Sequence, residues 1–525
     1  MGRPDRLLLG TSLLLCLLPV TRAIQDPDFW WHLRTGELVL QRHGLLTTDP
    51  YTYTAAGHRW VMHEWGTEVL FALLHRVGGI ALIVAVLSLV TWLGLLCVYL
   101  NARLRRPHHI ALATGIVLGV IAGYPIWGPR AQMITFALTC LFILLAERHL
   151  RLGGRAIWAL VPLTVVWCNL HSGFVIGLGF VSLMLVADVV GGRLGFRGGA
   201  SPAHRRRLAA VLGVCLVAAL LNANGAGIYL YPFQTQGSSA QQTLIEEWHS
   251  PNFHMREVVA FEVMLLSLVA AALVNRRLTA RDAALLLTAT ALSLQSVRHI
   301  ALFIAACTPL WVEQMSLLGG RLQSARRAGA PARQRSRQRD SLVRGVLALS
   351  LMGVILVTYA GVQLAPALRA RESDLAYARD QPVCAARWLA ASRGGLHIFN
   401  QYGEGGYLSY RLHDHGDRVF IFGDAALMGD ESLLRYGRVA DLGPDWDRLL
   451  RASGTDLVLF DTNTGLDQLL RDSPNWTRVY ADPRSDAFVR RERPLTGLAD
   501  PSVAALSPGG TVCSQLARDG LGAAA

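Results

Sequence analysis

Long apolar runs recur along most of the chain and constrain its fold more than any other feature. Charged residues make up only 17% of the 525 residues, whereas about a quarter of an average soluble sequence is charged. Many of the runs approach the roughly 20 residues that cross a bilayer. The pattern predicts an α-helical polytopic membrane protein with about 11 transmembrane helices. The predicted apolar spans are residues 7–24, 79–100, 110–127, 132–147, 156–169, 173–191, 208–223, 258–274, 283–297, 300–316 and 345–364.

Arginines alternate between the loops that connect these spans. One set of loops is rich in arginine, and the short members of the opposite set hold only Arg130, Arg256 and Arg298. Because cytoplasmic loops keep the positive charge, this alternation predicts a cytoplasmic N-terminus and an extracytoplasmic tail. The arginine-rich set comprises Arg3 and Arg6; Arg103, Arg105 and Arg106; Arg148, Arg151 and Arg155; Arg205, Arg206 and Arg207; Arg276, Arg277 and Arg281; and the stretch 326–339.

The net charge of +13 does not indicate a nucleic-acid-binding protein. From residue 381 onward the chain holds 15 Arg against 18 Asp plus Glu, a balance of −3, so the excess lies upstream in the short loops. The first span could instead be a cleaved signal peptide, since Arg3 and Arg6 precede its apolar core and Ala23 follows it.

These features predict three segments. The first is a transmembrane domain over residues 1–364, with a long first outer loop at 25–78. The second is a cytoplasmic Arg-rich linker at 319–344, inside that range, and the third is a soluble extracytoplasmic α/β domain at 370–525. In the third, the runs GLHIFN, RVFIFGD and DLVLFD predict strands, and CAARWLAASR and PDWDRLLRAS predict helices.

Two details of the tail leave alternatives open. GEGGYL, residues 403–408, could bind phosphate, but it lacks the G-x-G-x-x-G spacing and a Lys, so a tight strand-to-helix turn is favoured. Cys384 and Cys513 could form a disulfide if the tail lies outside the cytoplasm.

The stretch QDPDFWWHLRTGE, residues 25–37, follows the first span and has two readings. Asp26 can cap a helix with Pro27 at its first position, while Trp30 and Trp31 anchor it at the membrane interface. Alternatively, Asp28 and His32, which are four residues apart on one helix face, belong to an active site.

Other polar residues collect in the loops on the same predicted side. Because polar side chains near a bilayer are costly and usually face a cavity or one another, their loops are expected to meet around one outward cavity. The set comprises Asp26, Asp28, His32, His63, Glu64, Arg130, Asn169, His171, Glu246, Glu247, His249, Arg298 and His299.

The chain resembles the GT-C superfamily of glycosyltransferases, which includes oligosaccharyltransferases, protein O-mannosyltransferases and aminoarabinose transferases. The likeness covers the whole chain and is carried by acids just after the first span, a long first outer loop and a soluble outer tail. The pattern D-x-D-x-W-W-H-L-x-x-G at 26–36 looks like an uncharacterised bacterial branch, as do HEW at 63–65, NLHSGF at 169–174, EEWHSPNF at 246–253 and RHI at 298–300. The WWD-type motif of oligosaccharyltransferases is missing, which puts peptide N-glycosylation in doubt.

The resemblance implies transfer of a sugar, with inversion, from a polyprenyl-phosphate-linked donor to a glycan, lipid or protein acceptor. The catalytic candidates are Asp28, Asp26 and Glu64. A departing phosphate needs donors, and an acceptor hydroxyl needs a base. No cofactor is certain, and a divalent metal, Mg or Mn, is left open. The candidates for substrate binding are His32, His63, Arg130, His171, Glu247, His249, Arg298 and His299.

A non-catalytic membrane protein is the competing reading, either a lipid-carrier flippase or an envelope-assembly scaffold. A transporter is expected to show inverted repeats and charges buried in the middle of its spans. Here nearly all the charges lie at the ends of the apolar runs. The enzyme is therefore the favoured reading.

Overall fold

The computed structural model describes most of the chain as helices, with one small sheet near the C-terminus. The described residues are 3–196, 198–327, 346, 347, 349–354, 357, 358, 361, 377, 380–503 and 513. The last predicted span, 345–364, lies partly outside these residues, and so does most of the predicted linker.

The helices are numbered in chain order. They are α1 (Arg3–Leu15), α2 (Leu17–Val20), α3 (Phe29–Arg42), α4 (Trp65–Leu104), α5 (His109–Ala122), α6 (Gln132–Leu152), α7 (Leu160–Leu170), α8 (Phe174–Arg193), α9 (Pro202–Ala218), α10 (Tyr231–Gly237), α11 (Ser239–Leu244), α12 (Val259–Asn275), α13 (Ala280–Gln295), α14 (Ile300–Arg327), α15 (Val383–Ala391), α16 (Gly405–Leu412), α17 (Ala425–Ala440), α18 (Trp446–Ala452) and α19 (Gly465–Asp472).

The chain forms two compact units. The helical unit comprises Met1–Ile24, Ile83–Pro232 and Glu246–Ala365, and the sheet unit comprises Gln25–Leu82, Phe233–Ile245 and Pro366–Ala525. Helix α4 is broken at Gly78 and Gly79, where the backbone leaves helical geometry.

Four helices among the described residues are long and apolar enough to cross a membrane: Trp65–Leu104, Gln132–Leu152, Phe174–Arg193 and Val297–Ser324. Shorter apolar helices occur at Leu8–Val20, His109–Ala122, Ala156–Leu170 and Val259–Asn275. The chain is therefore a membrane protein. Each of the first ten predicted apolar spans falls on a helix, but the count of 11 transmembrane helices stays a prediction.

The C-terminal end of α14 lies within the predicted linker. Residues 319–327 are helical, since α14 continues through them to Arg327, and the linker itself stays a prediction. Ala, Leu, Gln and Arg are good helix formers, so this stretch, GGRLQSARR, extends the helix despite its two glycines. The remainder of the predicted linker, 328–344, lies outside the described residues.

The helical unit contains a buried network of ion pairs that the sequence did not reveal. Arg105 pairs with Asp282 at 2.8 Å and with Glu147 at 3.5 Å, and Arg205 pairs with Asp188 at 2.6 Å. Because a buried charge without a partner is costly, these pairs tie together the helix ends that carry them. Several arginines expected only to mark the cytoplasmic side are thus also packing residues. The network comprises Arg105, Arg151, Arg205 and Arg281 with Glu147, Asp188, Asp282 and Glu313.

The sheet of the sheet unit has five strands in the order β2-β1-β3-β5-β4. Strand β1 pairs in parallel with β2 and β3, and β5 pairs antiparallel with β3 and β4. All three predicted strands and both predicted helices of the tail are present, which confirms an α/β arrangement. The strands are β1 (His397–Asn400), β2 (Arg418–Val419), β3 (Leu457–Asp461), β4 (Trp476–Ala481) and β5 (Ser485–Arg490).

GEGGYL follows β1, and α16 begins within it at Gly405, so the motif forms a tight strand-to-helix turn as expected. Cys384 and Cys513 form a disulfide with a Cα–Cα distance of 5.8 Å. The predicted domain boundaries at 364 and 370 fall outside the described residues.

The first loop adds its own backbone to the edge of this sheet. Thr52 lies in parallel register with Val419 of β2. The Val419 N–H donates to the Tyr51 carbonyl at 3.1 Å, and the Tyr53 N–H donates to the Val419 carbonyl at 3.3 Å. The Tyr53 ring also stacks on His397 at 4.4 Å, and its hydroxyl lies 2.8 Å from Thr455. Since an unpaired sheet edge exposes backbone donors and acceptors, the loop completes the sheet.

Helix α3 packs its aromatic residues into the core of the sheet unit. Trp30 is 1% exposed and lies against Tyr377 and Tyr407, and Trp31 is 3% exposed and lies against Phe422. The expectation that both tryptophans anchor at the membrane interface is therefore wrong. Adjacent tryptophans suit an interface by composition, but here partners distant in sequence enclose both rings.

Candidate functional site

In the turn before α3, Asp26 and Asp28 have different roles, which the sequence alone did not distinguish. The Asp26 carboxylate accepts the N–H of Asp28 at 3.1 Å, and the Asp26 carbonyl accepts the N–H of Phe29. Asp26 thus holds the turn that leads into the helix, as a capping residue does. Asp28 occupies the N-cap position of α3, but its side chain makes no capping hydrogen bond.

The carboxylate of Asp28 is positioned by Gly423, the residue after the FIF run that follows β2. A Cβ added at Gly423 would lie 1.5 Å from one carboxylate oxygen of Asp28. No side chain larger than hydrogen fits there without moving the acid. The sheet unit therefore combines an aspartate of the first loop with a glycine of the C-terminal segment.

Four buried side chains form what we call the acid–imidazole ladder: Glu68, His32, Glu64 and His63. His32 Nδ1 lies 3.2 Å from Glu68, and His32 Nε2 lies 3.6 Å from Glu64. The other oxygen of Glu64 lies 2.8 Å from His63 Nε2. Each side chain is 10% exposed or less. Alternation of acid and imidazole gives each buried charge a partner.

Close packing of α3 on the first turn of α4 brings the ladder together. A Cβ added at Gly36 would lie 1.9 Å from the Glu68 carbonyl, so the two helices touch backbone to backbone at this glycine. His32 lies one turn before Gly36 on the same face of α3 and therefore meets Glu64 and Glu68.

The surrounding charges favour the protonated imidazoles. Burial disfavours the charged form of His32, but Glu64, Glu68 and Asp28 outweigh burial and raise the pKa of His32 to about 9. Burial opposes the charge on His63 as well, and Glu64 outweighs it and raises the pKa of His63. Since a protonated imidazole cannot accept a proton, the available bases near the turn are carboxylates.

Asp424 connects the C-terminal segment to the first loop. One of its oxygens accepts the N–H of Leu427 at 3.1 Å and caps α17, and the other accepts the Trp60 indole N–H at 2.8 Å. The sequence does not predict the second bond, because nothing in it pairs Trp60 with a residue 364 positions away.

The helical unit holds a second group, which we call the arginine cluster: Arg130, Glu247, Trp248 and Arg298. The two terminal nitrogens of Arg130 donate to the two oxygens of Glu247 at 2.7 and 2.9 Å, a bidentate pair. The guanidinium of Arg298 lies 4.6 Å above the Trp248 ring, within cation–π distance.

Two hydrogen bonds hold the backbone of this cluster. Ser296 Oγ donates to the Glu247 carbonyl at 2.7 Å, and the Val297 N–H donates to the His249 carbonyl at 3.0 Å. His299 is buried beside the Trp248 ring at 6.2 Å. The segments EEWHSPNF and RHI, separate in sequence, therefore pack together.

Opposing effects act on the ionisation of Glu247. Burial raises its pKa, but the charges of Arg130 and Arg298 and the hydrogen bonds from Arg130 lower the pKa to about 2. Glu247 therefore carries a negative charge over the whole physiological range.

His171 and Asn169 lie outside the ladder and the arginine cluster. His171 Nδ1 accepts the Gly173 N–H at 2.8 Å and lies 3.0 Å from the Thr135 hydroxyl, so it closes a turn. Asn169 donates to the Val165 carbonyl at 2.9 Å. The expectation that all of the predicted residues line one cavity stays a prediction. Glu68 and Gly423 were missed, because Glu68 reads as an ordinary helix residue and Gly423 as part of a turn.

Among the residues that the structure describes, no group of three or more His, Cys, Asp or Glu is arranged to hold a metal ion. In the ladder, imidazoles occupy the spaces between carboxylates. These residues do not fit the Mg or Mn that the sequence left open.

Solved structures of known proteins share the fold of this chain. The archaeal oligosaccharyltransferase AglB from Archaeoglobus fulgidus, in complex with an inhibitory peptide and a dolichol-phosphate, matches with a TM-score of 0.54 and 12% identity. The match covers 87% of this chain and 69% of that chain. An Archaeoglobus fulgidus oligosaccharyltransferase tethered to an acceptor peptide with the NVT sequon matches with a TM-score of 0.54 and 13% identity, over 93% and 75% of the two chains. The fold is GT-C-like.

Sequence comparisons add nothing to this result. No family model matches the chain, and no curated protein matches it by sequence. At 12–13% identity the similarity shows the fold and not the activity.

The elevated pKa of His32 predicts a pH-dependent stability. The stabilisation from its proton is complete below the ordinary pKa of 6.5 and is lost as the pH rises through about 9. The unfolding midpoint of the full-length protein should therefore fall over this interval, and His32→Gln should make the fall smaller. Thermal unfolding from pH 6 to 10 measures it, with His254→Gln, at an exposed histidine, as the control. Identical pH profiles for wild type and His32→Gln would refute the assignment.

Proposed function

We propose that this chain is a membrane glycosyltransferase that takes a sugar from a polyprenyl-phosphate-linked donor and transfers it to an acceptor. In this proposal the reaction takes place at the outer face of a bacterial cytoplasmic membrane, which about eleven helices cross. The acceptor is a glycan, lipid or protein. The observation that carries the proposal is the position of the Asp28 carboxylate, which lies in the first long loop of a GT-C-like fold and packs against Gly423.

Two further features support the proposal. The similar oligosaccharyltransferase binds a dolichol-phosphate and an inhibitory peptide in its solved structure. The disulfide between Cys384 and Cys513 suits a C-terminal segment outside the cytoplasm, because disulfides persist in oxidising compartments. The arginine alternation favours the same orientation, with a cytoplasmic N-terminus.

In the proposed reaction Asp28 acts as the base. The Asp28 carboxylate accepts the proton of the acceptor hydroxyl. At the same time, the hydroxyl oxygen forms a bond to the anomeric carbon of the sugar. The bond from this carbon to the phosphate oxygen breaks, and the phosphate leaves with the electron pair, so the configuration inverts. Within the helical unit, Arg130 and Arg298 are proposed to bind a lipid phosphate, since a guanidinium matches phosphate oxygens in charge and geometry.

The ladder has a supporting role in this scheme. The negative charge of Asp28 helps to raise the pKa of His32, so Asp28 and the protonated His32 attract each other. Glu64 and Glu68 hold that imidazole in place. Glu64, a catalytic candidate from the sequence, lies between two imidazoles, so we propose that it positions His32 and does not accept the proton.

Asp28→Asn should lower transfer by about 10² to 10⁴-fold, the usual contribution of a positioned base. The same change at Asp26 should retain most activity, because Asn caps a helix as well as Asp does. The measurement is release of polyprenyl phosphate, followed by mass spectrometry, from purified protein in lipid nanodiscs. A panel of polyprenyl-phosphate-linked sugars and membrane extracts serves as donors and acceptors.

Two results would count against the proposal. Full activity in Asp28→Asn would remove the assigned base. Absence of release by the wild type with every donor, together with unchanged function of Asp28→Asn in cells, would favour the flippase or scaffold reading.

Gly423→Ala should also lower transfer strongly, because the added methyl group cannot coexist with the present position of the Asp28 carboxylate. Gly403→Ala is the matched control, since the nearest atom to an added Cβ there is 4.0 Å away. The same release assay measures both variants, and the unfolding midpoint shows whether each is folded. A folded Gly423→Ala protein with wild-type activity would show that the position of Asp28 is unimportant.

A further inference from the structure

The carboxylate of Glu247 accepts hydrogen bonds from both terminal nitrogens of the Arg130 guanidinium. The two nitrogens form a fork, and the distances are 2.7 and 2.9 Å. Such a fork recognises carboxylate and phosphate with the same parallel pair of hydrogen bonds. The internal acid therefore occupies the position that two oxygens of a phosphate group would take.

A second guanidinium strengthens the attraction of this position for anions. The charge of Arg298 also acts on Glu247. Stacking on Trp248 at 4.6 Å holds Arg298 independently of any acid. Two positive charges thus meet one negative charge, and the cluster of Arg130, Glu247 and Arg298 carries a net charge of +1.

Of the two partners in the pair, Glu247 is the one that can leave. Its side chain is 41% exposed, whereas that of Arg130 is 12% exposed. The bond from Ser296 fixes the carbonyl of Glu247, so only its side chain has to rotate. Exchange for another anion then requires a change of rotamer and no movement of the loop.

We propose that Glu247 is a resident anion that the phosphate of the lipid-linked substrate displaces from Arg130. The inference rests on the proposed function and names the ligand of this cluster as a lipid phosphate. When the lipid enters, Arg130 exchanges the carboxylate for the phosphate, and Glu247 turns toward solvent. When the lipid leaves, Glu247 takes its place again.

The exchange of Glu247 for phosphate affects how readily the product is released. A polyprenyl-phosphate-linked sugar carries one negative charge, but the phosphomonoester left after transfer gains up to one more, because its second pKa is near 6. Two arginines would therefore retain the product more strongly than the donor. A carboxylate that competes for Arg130 opposes this retention and favours release of the product.

Binding of undecaprenyl phosphate to the purified full-length protein in nanodiscs tests the exchange. Glu247→Gln removes the competing charge and nearly preserves the shape, so it should tighten the Kd about three- to tenfold, as expected for a partly exposed bidentate pair. Glu246→Gln is the matched control: it removes an exposed neighbouring charge and should change the Kd less than twofold. Glu247→Asp keeps the charge, shortens the reach and should fall between wild type and Glu247→Gln.

Inorganic phosphate, added at the concentration of the lipid probe, distinguishes the two sources of phosphate. The proposal expects it not to compete with undecaprenyl phosphate, and full competition would overturn the assignment to a lipid. Unchanged or weaker binding by folded Glu247→Gln, with the wild type still binding, would overturn the displacement and leave the glycosyltransferase proposal standing. Failure of every protein, including the wild type, to bind undecaprenyl phosphate would contradict both.

Discussion

The pairing of the first loop with the edge of the C-terminal sheet is the interaction on which the sheet unit depends. Backbone bonds between Tyr51–Tyr53 and Val419 fix the register of two segments more than 360 residues apart. The same contact region brings Asp28 against Gly423 and Trp60 against Asp424. Loop closure over such a length is entropically costly, so many contacts must form together. The first loop is therefore a structural part of the C-terminal fold.

In both units, buried charged side chains lie beside partners of opposite charge. In the ladder, Glu68, His32, Glu64 and His63 alternate in charge, and in the helical unit four arginines meet four acids. Removal of one member would leave its partner charged and buried, which costs several kcal/mol. Asp28 and Glu247 differ from these groups, because Asp28 is half-buried and Glu247 is 41% exposed. Acids that keep access to solvent can exchange partners. Asp28 and Glu247 are therefore the acids proposed to act on the substrate.

The sequence predicted the helices and parallel strands because their signals are local. Apolar runs placed ten helices, and runs such as DLVLFD placed strands. The β4–β5 hairpin was missed, since the exposed residues Thr477 and Arg478 interrupt the apolar run of β4. The sequence drew attention to the acids, histidines and arginines of the first loop, EEWHSPNF and RHI, and their roles as site residues stay predictions. The roles of Asp26, Glu68, Gly423 and the two tryptophans depend on contacts distant in sequence, which a single sequence cannot show.

Hydrogen exchange of the full-length protein tests most directly whether the first loop and the C-terminal segment are one folded unit. The two observables are the backbone amides of Tyr53 in the loop and Phe420 after β2. Phe420 donates to Ile398 of β1, and Tyr53 donates to Val419, so each belongs to the same ladder of hydrogen bonds. The account predicts that both amides exchange slowly and at similar rates, because they open only when the sheet opens. Fast exchange at Tyr53 beside a protected Phe420 would contradict it.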